Sequence, residues 1–383
     1  MDKVRRLRAE LPATEHEVYL NTGSVGPMPR VAAEATKNQL ELETSEGRVG
    51  GAIWQAADEA RQRARAAVAG VIGADAAEIA LTHFTTESIN VVLWGLDWRP
   101  GDEILITSIE HPAIVLPAQA VAQRYGAAVK VAELGYGGGD VLGAFERALS
   151  ERTRLLALSH VAYCTGAALP LAEIVRLAQE HDILTLVDGA QSAGAIPVDV
   201  AEMGVDFYAV PGQKWLLGPE DTGALYVRRD RLDQLRQTFV GYMSVAPQPQ
   251  GAGAVPHLNA RRYEVGSRNT PSILGQAAAV EWLRDEVGLG WAQQRIRSLL
   301  ARAREALGGI PGVSVLTPAN CAGLLSFAVG DVDPDVVTQK LSAQKIVIRS
   351  VKSPRCNRAS FGFFNTEEEI EQLAQAVSRL LQG

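Results

Sequence analysis

Three cysteines, Cys164, Cys321 and Cys356, are all that 383 residues contain. They are too few and too scattered for a disulfide framework or a four-ligand zinc knuckle, and they read as the reduced thiols of a cytoplasmic protein. Basic residues are short as well: 37 Lys plus Arg stand against 44 Asp plus Glu, a formal net charge of -7. With no basic excess to neutralise a phosphate backbone, a nucleic-acid partner is not expected. No stretch approaches the roughly 18 unbroken apolar residues of a membrane span, and Met1 to His16 are charged and lack the apolar core of a secretory signal. No internal repeat is visible. No Gly-x-Gly-x-x-Gly turn opens a βαβ unit, which argues against a nicotinamide enzyme.

What is present is an ordinary globular balance, 47% hydrophobic and 21% charged, in a chain long enough for two or three domains. From about Asp75 to Val227, short apolar runs alternate with amphipathic stretches, which predicts βαβ units on a mostly parallel, seven-stranded sheet, an α/β fold. Strands are expected at Glu78–Thr82, Glu103–Thr107, Val129–Leu134, Arg154–His160, Leu184–Val187, Phe207–Val210 and Gly223–Val227. Helices are expected at Pro112–Arg124, Asp140–Leu149 and Leu171–Glu180. The stretch Gly251–Pro256, with Gln248-Pro249-Gln250 before it, is the clearest loop, rich in Gly and Pro. Beyond it, helices at Ser272–Glu286 and Trp291–Leu307 precede a strand, helix, strand, strand, helix pattern from Val313 to Leu381. The organisation expected is an N-terminal segment 1–20, a large domain 21–255 and a smaller C-terminal α+β domain 256–383.

In an open parallel sheet, ligands sit outside the carboxyl ends of the strands. After Leu184–Val187 comes Asp188-Gly-Ala-Gln191, an acid followed by small residues that let a flat ligand approach the backbone. After Phe207–Val210 comes Pro211-Gly-Gln213-Lys214-Trp215, with a lysine between glycine and an apolar run. A buried lysine shifts its pKa down and serves as a Schiff-base nucleophile. An acid at one strand end and a lysine at its neighbour is the arrangement pyridoxal phosphate needs: the acid keeps the pyridine nitrogen protonated and the lysine holds the aldehyde. Thr85 and Thr86 open a helix after the first strand, where an N-terminus favours a phosphate. His111 follows Glu103–Thr107 and is placed to stack on the ring face.

These segments resemble the fold-type I pyridoxal phosphate enzymes of the class V aminotransferase family, which includes cysteine desulfurases, selenocysteine lyases, cysteine/cystine carbon-sulfur lyases and isopenicillin N epimerases. The likeness is carried by Thr-Thr-Glu-Ser-Ile-Asn (85 to 90), Glu-His-Pro (110 to 112), Ser-His-Val-Ala-Tyr-Cys-Thr-Gly (159 to 166), Val-Asp-Gly-Ala-Gln-Ser-Ala-Gly (187 to 194), Gln-Lys-Trp (213 to 215), Arg-Tyr-Glu-Val-Gly-Ser (262 to 267) and Asn-Arg-Ala-Ser-Phe (357 to 361). Residues 91 to 98 and 169 to 174 look most like the carbon-sulfur lyase branch.

The resemblance implies that Lys214 binds the aldehyde covalently and later moves the Cα proton. It gives Asp188 the pyridine nitrogen, Gln191 the phenolic oxygen, His111 the ring face, and Thr85 and Thr86 the phosphate. Gly266 and Ser267 would reach that phosphate from the opposite subunit of a homodimer. Arg358 would clamp the substrate carboxylate, with Arg349 and Tyr163 as further substrate contacts. The turn Asn21–Gly26 is similar to the family's segment that covers the substrate.

Two departures stand out: Pro211 and Gln213 occupy positions where the family often has Ser or Thr and His. The connection between the two arginine-bearing strands runs only from Arg349 to Arg358, too short for the mobile cysteine loop of a desulfurase, so Cys356 is expected in a strand. The expected reaction is β-elimination from cysteine, cystine or a related sulfur amino acid, giving pyruvate, ammonia and a sulfur species. The alternatives are a desulfurase with a persulfide on Cys356 or Cys164, an epimerase using Tyr163 or His111, a transaminase, and a catalytically silent cofactor-binding subunit.

Overall fold

The computed structural model describes residues 3–247 and 253–382. Strand formation follows the apolar runs. Among the described residues eight strands occur before residue 230: β1 (Val18–Tyr19), β2 (Ile79–Thr82), β3 (Glu103–Thr107), β4 (Ala128–Ala132), β5 (Thr153–Ser159), β6 (Leu184–Asp188), β7 (Phe207–Pro211) and β8 (Gly223–Val227). Seven of them form one sheet in the order β2-β8-β7-β6-β5-β3-β4. The run β7-β6-β5-β3-β4 is parallel throughout, and β8 is antiparallel to both of its neighbours.

Side chains alternate across this sheet with period two, so each strand feeds two cores. Ile104, Ile106, Leu155, Ala157, Leu186, Phe207 and Ala209 point to one side and meet Val92 of the helix Thr85–Gly95 and Ile114 and Val121 of the helix Pro112–Tyr125. Leu105, Leu156, Leu158, Val187, Tyr208 and Val210 point to the other and meet Val68, Phe145, Ile174 and Val175. Burial on both faces explains why these strands read as continuous apolar runs, each buried Leu, Ile or Phe contributing about 1.5–3 kcal/mol. The connecting helices are delimited by local chemistry. His111 caps Pro112–Tyr125 by accepting from the Ala113 N–H, Pro112 fills its first turn, and Gly126 ends it in the left-handed region at φ 71°.

The second sheet is antiparallel. Strands β9 (Val313–Val315), β10 (Leu324–Val329), β12 (Arg349–Lys352) and β13 (Arg355–Ser360) pair in the order β12-β13-β10-β9, and β11 (Ile346–Val347) instead pairs in parallel with β1. The helices Leu289–Gly308, Pro334–Ser342 and Glu367–Leu380 cover this sheet through Leu299, Val337, Leu373 and Val377.

Several expectations are corrected in detail. Two long helices, Arg30–Ser45 and Gly51–Ile72, fill a region given no helix by the sequence reading. Their apolar positions are largely alanine, and the first buries only Ala32, so neither carries a strong apolar stripe. They pack against Thr270–Trp282, the helix expected at Ser272–Glu286, whose last turn continues instead as a π-helical turn at Leu283–Val287. The C-terminal pattern has two strands, β9 and β10, before its first helix and three after it, because β11 is only two residues long. Strand β4 ends at Ala132 rather than Leu134. Of the expected loop around Gly251–Pro256, residues 248–252 lie outside the described residues, and Pro256 makes an isolated antiparallel bridge to Val245.

Candidate active site

The carboxyl ends of the parallel strands meet the N-terminal segment and the second sheet around a cavity of about 250 Å³. Thr85, Thr86, His111, Tyr163, Asp188, Gln191, Lys214, Arg349 and Arg358, nine of the residues picked out in the sequence, all line it. Gly266 and Ser267 do not. Ser267 borders a separate groove with Trp54 and Tyr242, and its hydroxyl bonds the Tyr242 hydroxyl.

Asp188 is the last residue of β6 and is buried. Its Oδ1 accepts from the Ala190 N–H at 2.8 Å, which leaves Oδ2 without a protein hydrogen bond among the described residues. Burial pushes the Asp188 carboxyl above its ordinary range, and the nearby Lys214 and the Ala190 N–H pull the other way. Lys214 stands just beyond β7 and opens onto the cavity. Removal from water pushes it down to about 8 against the pull of Asp188, and Arg358 and Arg349 add to the fall. The loop is held close by Gly26, whose N–H donates to the Gln213 carbonyl at 2.8 Å. A Cβ on Gly26 would lie 2.2 Å from the Lys214 carbonyl oxygen, so only glycine fits there.

His111 is pushed down to about 4 by burial, then by Lys214, Arg349 and Arg358, and so is neutral at pH 7. Its Nδ1 accepts from the Ala113 N–H at 3.1 Å, which assigns the proton to Nε2. The Tyr163 ring abuts it edge-on, centroids 4.8 Å apart at 85°, and fixes its plane.

Arg358 is fully buried on β13. Its Nη1 donates to the Tyr163 carbonyl at 2.7 Å and its Nη2 to the Ser24 hydroxyl at 3.1 Å, while Nε has no partner. Arg349 lies opposite it in the β12–β13 register. Burial first, and then Arg349, push Arg358 down to about 10. Two guanidinium groups side by side, neither ion-paired among the described residues, suit a carboxylate chemically.

Gln191 has a task the sequence did not signal. Its Nε2 donates to the Gly23 carbonyl at 2.8 Å and its Oε1 accepts from the Trp215 indole N–H at 2.9 Å. The amide thereby ties the segment Asn21–Gly26 to the lysine loop. Ser24 lies in the turn expected to cover the substrate, but its bond to Arg358 was not foreseen, because the two are 334 positions apart.

The chemistry of these groups fits pyridoxal phosphate. A buried acid with a spare oxygen suits a protonated pyridine nitrogen, and the lysine of lowered pKa suits an aldehyde. The helix Thr85–Gly95 has no side-chain cap, so the N–H groups of Thr85 and Thr86 lack acceptors among the described residues and suit a phosphate. Gln213 lines the same cavity with a buried Oε1 that has no partner among the described residues.

Comparison with known proteins agrees. The family model described as Aminotransferase class-V matches residues 18–373. A probable cysteine desulfurase of Methanothermobacter thermautotrophicus is 31% identical over 391 residues, covering 98% of this chain and 97% of its own. A cysteine desulfurase of Shigella sonnei is 30% identical, covering 98% of each chain. Among solved structures, the cystine C-S lyase C-DES in complex with its product cysteine persulfide superposes with a TM-score of 0.93 at 33% identity, covering 96% of this chain and 99% of its own. The cysteine desulfurase CsdA of Escherichia coli superposes with a TM-score of 0.89 at 30% identity, covering 100% and 99%. A buried acid and a softened lysine at adjoining strand ends, in a fold shared along almost its whole length with these proteins, make this chain a pyridoxal-phosphate-dependent member of the class V aminotransferase family.

Proposed function

We propose that this protein is a carbon-sulfur lyase that cleaves cysteine, cystine or a related sulfur amino acid by β-elimination, releasing a sulfur species with pyruvate and ammonia. The observation that carries this reading is the tightness of the β12–β13 hairpin. Only Ser353 and Pro354 separate the two strands, and Cys356 lies within β13, fully buried. Burial pushes the Cys356 thiol up, and Cys164, also buried, is pushed up to about 12. Neither is the accessible thiolate that persulfide transfer requires.

When bound, the cofactor supplies an electron sink for the pair released at Cα. This chain's residues do the rest. Arg358 and Arg349 hold the substrate carboxylate, Lys214 Nζ holds the aldehyde and then moves the Cα proton, and Asp188 keeps the proton on the pyridine nitrogen. His111 presents an uncharged ring face, with Tyr163 behind it. Thr85 and Thr86 take the phosphate by N–H and hydroxyl, and Gln191 holds the covering segment beside the phenolic oxygen. An uncharged His111 next to Lys214 and two arginines keeps the site from carrying a further positive charge.

The proposed assembly is a homodimer in which Gly266 and Ser267 complete the partner's phosphate site. Support comes from their placement outside the cavity, and from the exposed apolar side chains Trp54 and Tyr242 beside Ser267. The proposed domains, 21–255 and 256–383 after a segment 1–20, follow the two sheets. No helix among the described residues is long and apolar enough to cross a membrane. Three free cysteines support a cytoplasmic setting.

The test is to give the holoenzyme L-cystine, L-cysteine and a sulfur-free amino acid in turn, and to quantify pyruvate, alanine and sulfide. Pyruvate in proportion to released sulfur is expected. Alanine in its place would establish desulfuration instead.

A further inference from the structure

One buried carboxyl at the site has no place in this chemistry. Glu110, directly before His111, is 7% exposed. Its Oε1 accepts from the Thr107 hydroxyl at the end of β3 at 2.5 Å, and its Oε2 accepts from the Ser159 hydroxyl at the end of β5 at 2.6 Å. Ser159 lies opposite Asp188 in the β5–β6 register, so Glu110 is tied to the residue flanking the acid. No cation pairs with Glu110 among the described residues. The titratable groups whose fields it shares are Asp188 at the end of β6 and the Cys164 thiol in the turn after β5, with His111 next in the chain.

A buried carboxyl without a counter-cation is expensive to keep. A glutamine would satisfy the same two hydroxyls at lower cost, so the hydrogen bonds alone do not account for an acid here. We propose that Glu110 is a positioning residue whose ionisation, transmitted to Asp188 across the β5–β6 strand ends, governs how firmly the pyridine nitrogen keeps its proton. Burial pushes Glu110 up to about 7, and Asp188 adds to the rise against the two hydroxyl donors. Above that pH the second negative charge strengthens the hold of Asp188 on a positively charged ring, and below it the hold relaxes. The inference rests on the cofactor assignment and is independent of the substrate.

Glu110→Gln and Ser159→Ala test it. The visible absorbance of the bound cofactor in the wild-type holoenzyme should show a step near pH 7 that Glu110→Gln lacks. Ser159→Ala, which keeps the acid and removes one donor, should move that step to higher pH. The apoprotein gives a second readout. A carboxyl raised from 4.5 to about 7 leaves stability untouched below the lower value, costs progressively more between the two and costs a constant amount above them. The Tm advantage of apo Glu110→Gln over wild type should therefore grow by several degrees from about pH 4.5 to 7 and then level off. A pH-independent Tm difference, superimposable spectral titrations, or a step that Ser159→Ala leaves in place would each overturn the proposal. A protein that takes up no cofactor would count against the functional reading, while the apoprotein comparison would still decide whether Glu110 titrates as stated.

Discussion

The end of the parallel sheet and the β12–β13 hairpin face each other across one cavity, and they handle charge in opposite ways. At the sheet end an acid and a base from adjacent strands, Asp188 and Lys214, moderate each other in a buried setting. On the hairpin two arginines stand side by side with no acidic side chain ion-paired to them among the described residues. The first arrangement is complete in itself and suits a resident group that carries both a cationic nitrogen and an aldehyde. The second is complete only when an anion arrives, which suits a substrate that comes and goes. On the proposed reading, residence and turnover fall to different sheets.

Substitutions at the sheet end should abolish chemistry, and those on the hairpin should weaken binding. The largest effect is expected for Lys214→Ala, which should lower pyruvate formation by about 10⁴-fold and leave the protein folded, as checked by circular dichroism. Asp188→Asn should cost roughly 10²–10³-fold in kcat with little change in KM. Arg358→Lys should instead raise KM by about 100-fold with a smaller change in kcat, because an ammonium cannot reproduce a forked contact. Arg349→Lys, on an exposed side chain, should stay within about 10-fold. A KM effect at Asp188, or a pure kcat effect at Arg358, would break the division.

The comparison also sharpens with pH. Free lysine ordinarily titrates at 10.5, and Lys214 at about 8 is nucleophilic in a larger fraction at neutrality. The rate at which apoprotein captures added pyridoxal phosphate, followed by absorbance, should rise with pH and level off just above 8. A rise continuing toward 10.5 would show that burial does not soften the amine. The smallest effect is expected for Cys356→Ala: pyruvate production unchanged, with about 1 kcal/mol of stability lost from a filled site.

Legibility in the sequence followed the length scale of the interactions. Six strands of the main sheet were readable because burial on both faces leaves a continuous apolar run, the edge strand β4 being largely exposed, and bounds such as Gly223–Val227 and Leu171–Glu180 were recovered residue for residue. Asp188 and Lys214 were readable because the first directly follows such a run and the second stands in the short turn after one. The helices Arg30–Ser45 and Gly51–Ile72 were not, since alanine-rich faces against another helix carry little contrast between sides. Ser24, and the bridging role of Gln191, depend on partners 334 and 168 positions away, and no local pattern records them. Glu110 lay within a quoted motif, yet its burial between two strand-end hydroxyls is a product of strand pairing alone.

The segment Asn21–Gly26 has a consequence for how the protein is made. Gly23 donates to Ser360 and Ser24 accepts from Arg358, partners separated by 337 and 334 residues. At about 5–20 residues added per second, the ribosome delivers the two halves of these contacts on the order of tens of seconds apart. The covering segment is therefore synthesised well before the strand that seats it. The nascent large sheet can form while the mouth of its cavity is still open, leaving an interval in which cofactor can enter before the chain closes over it.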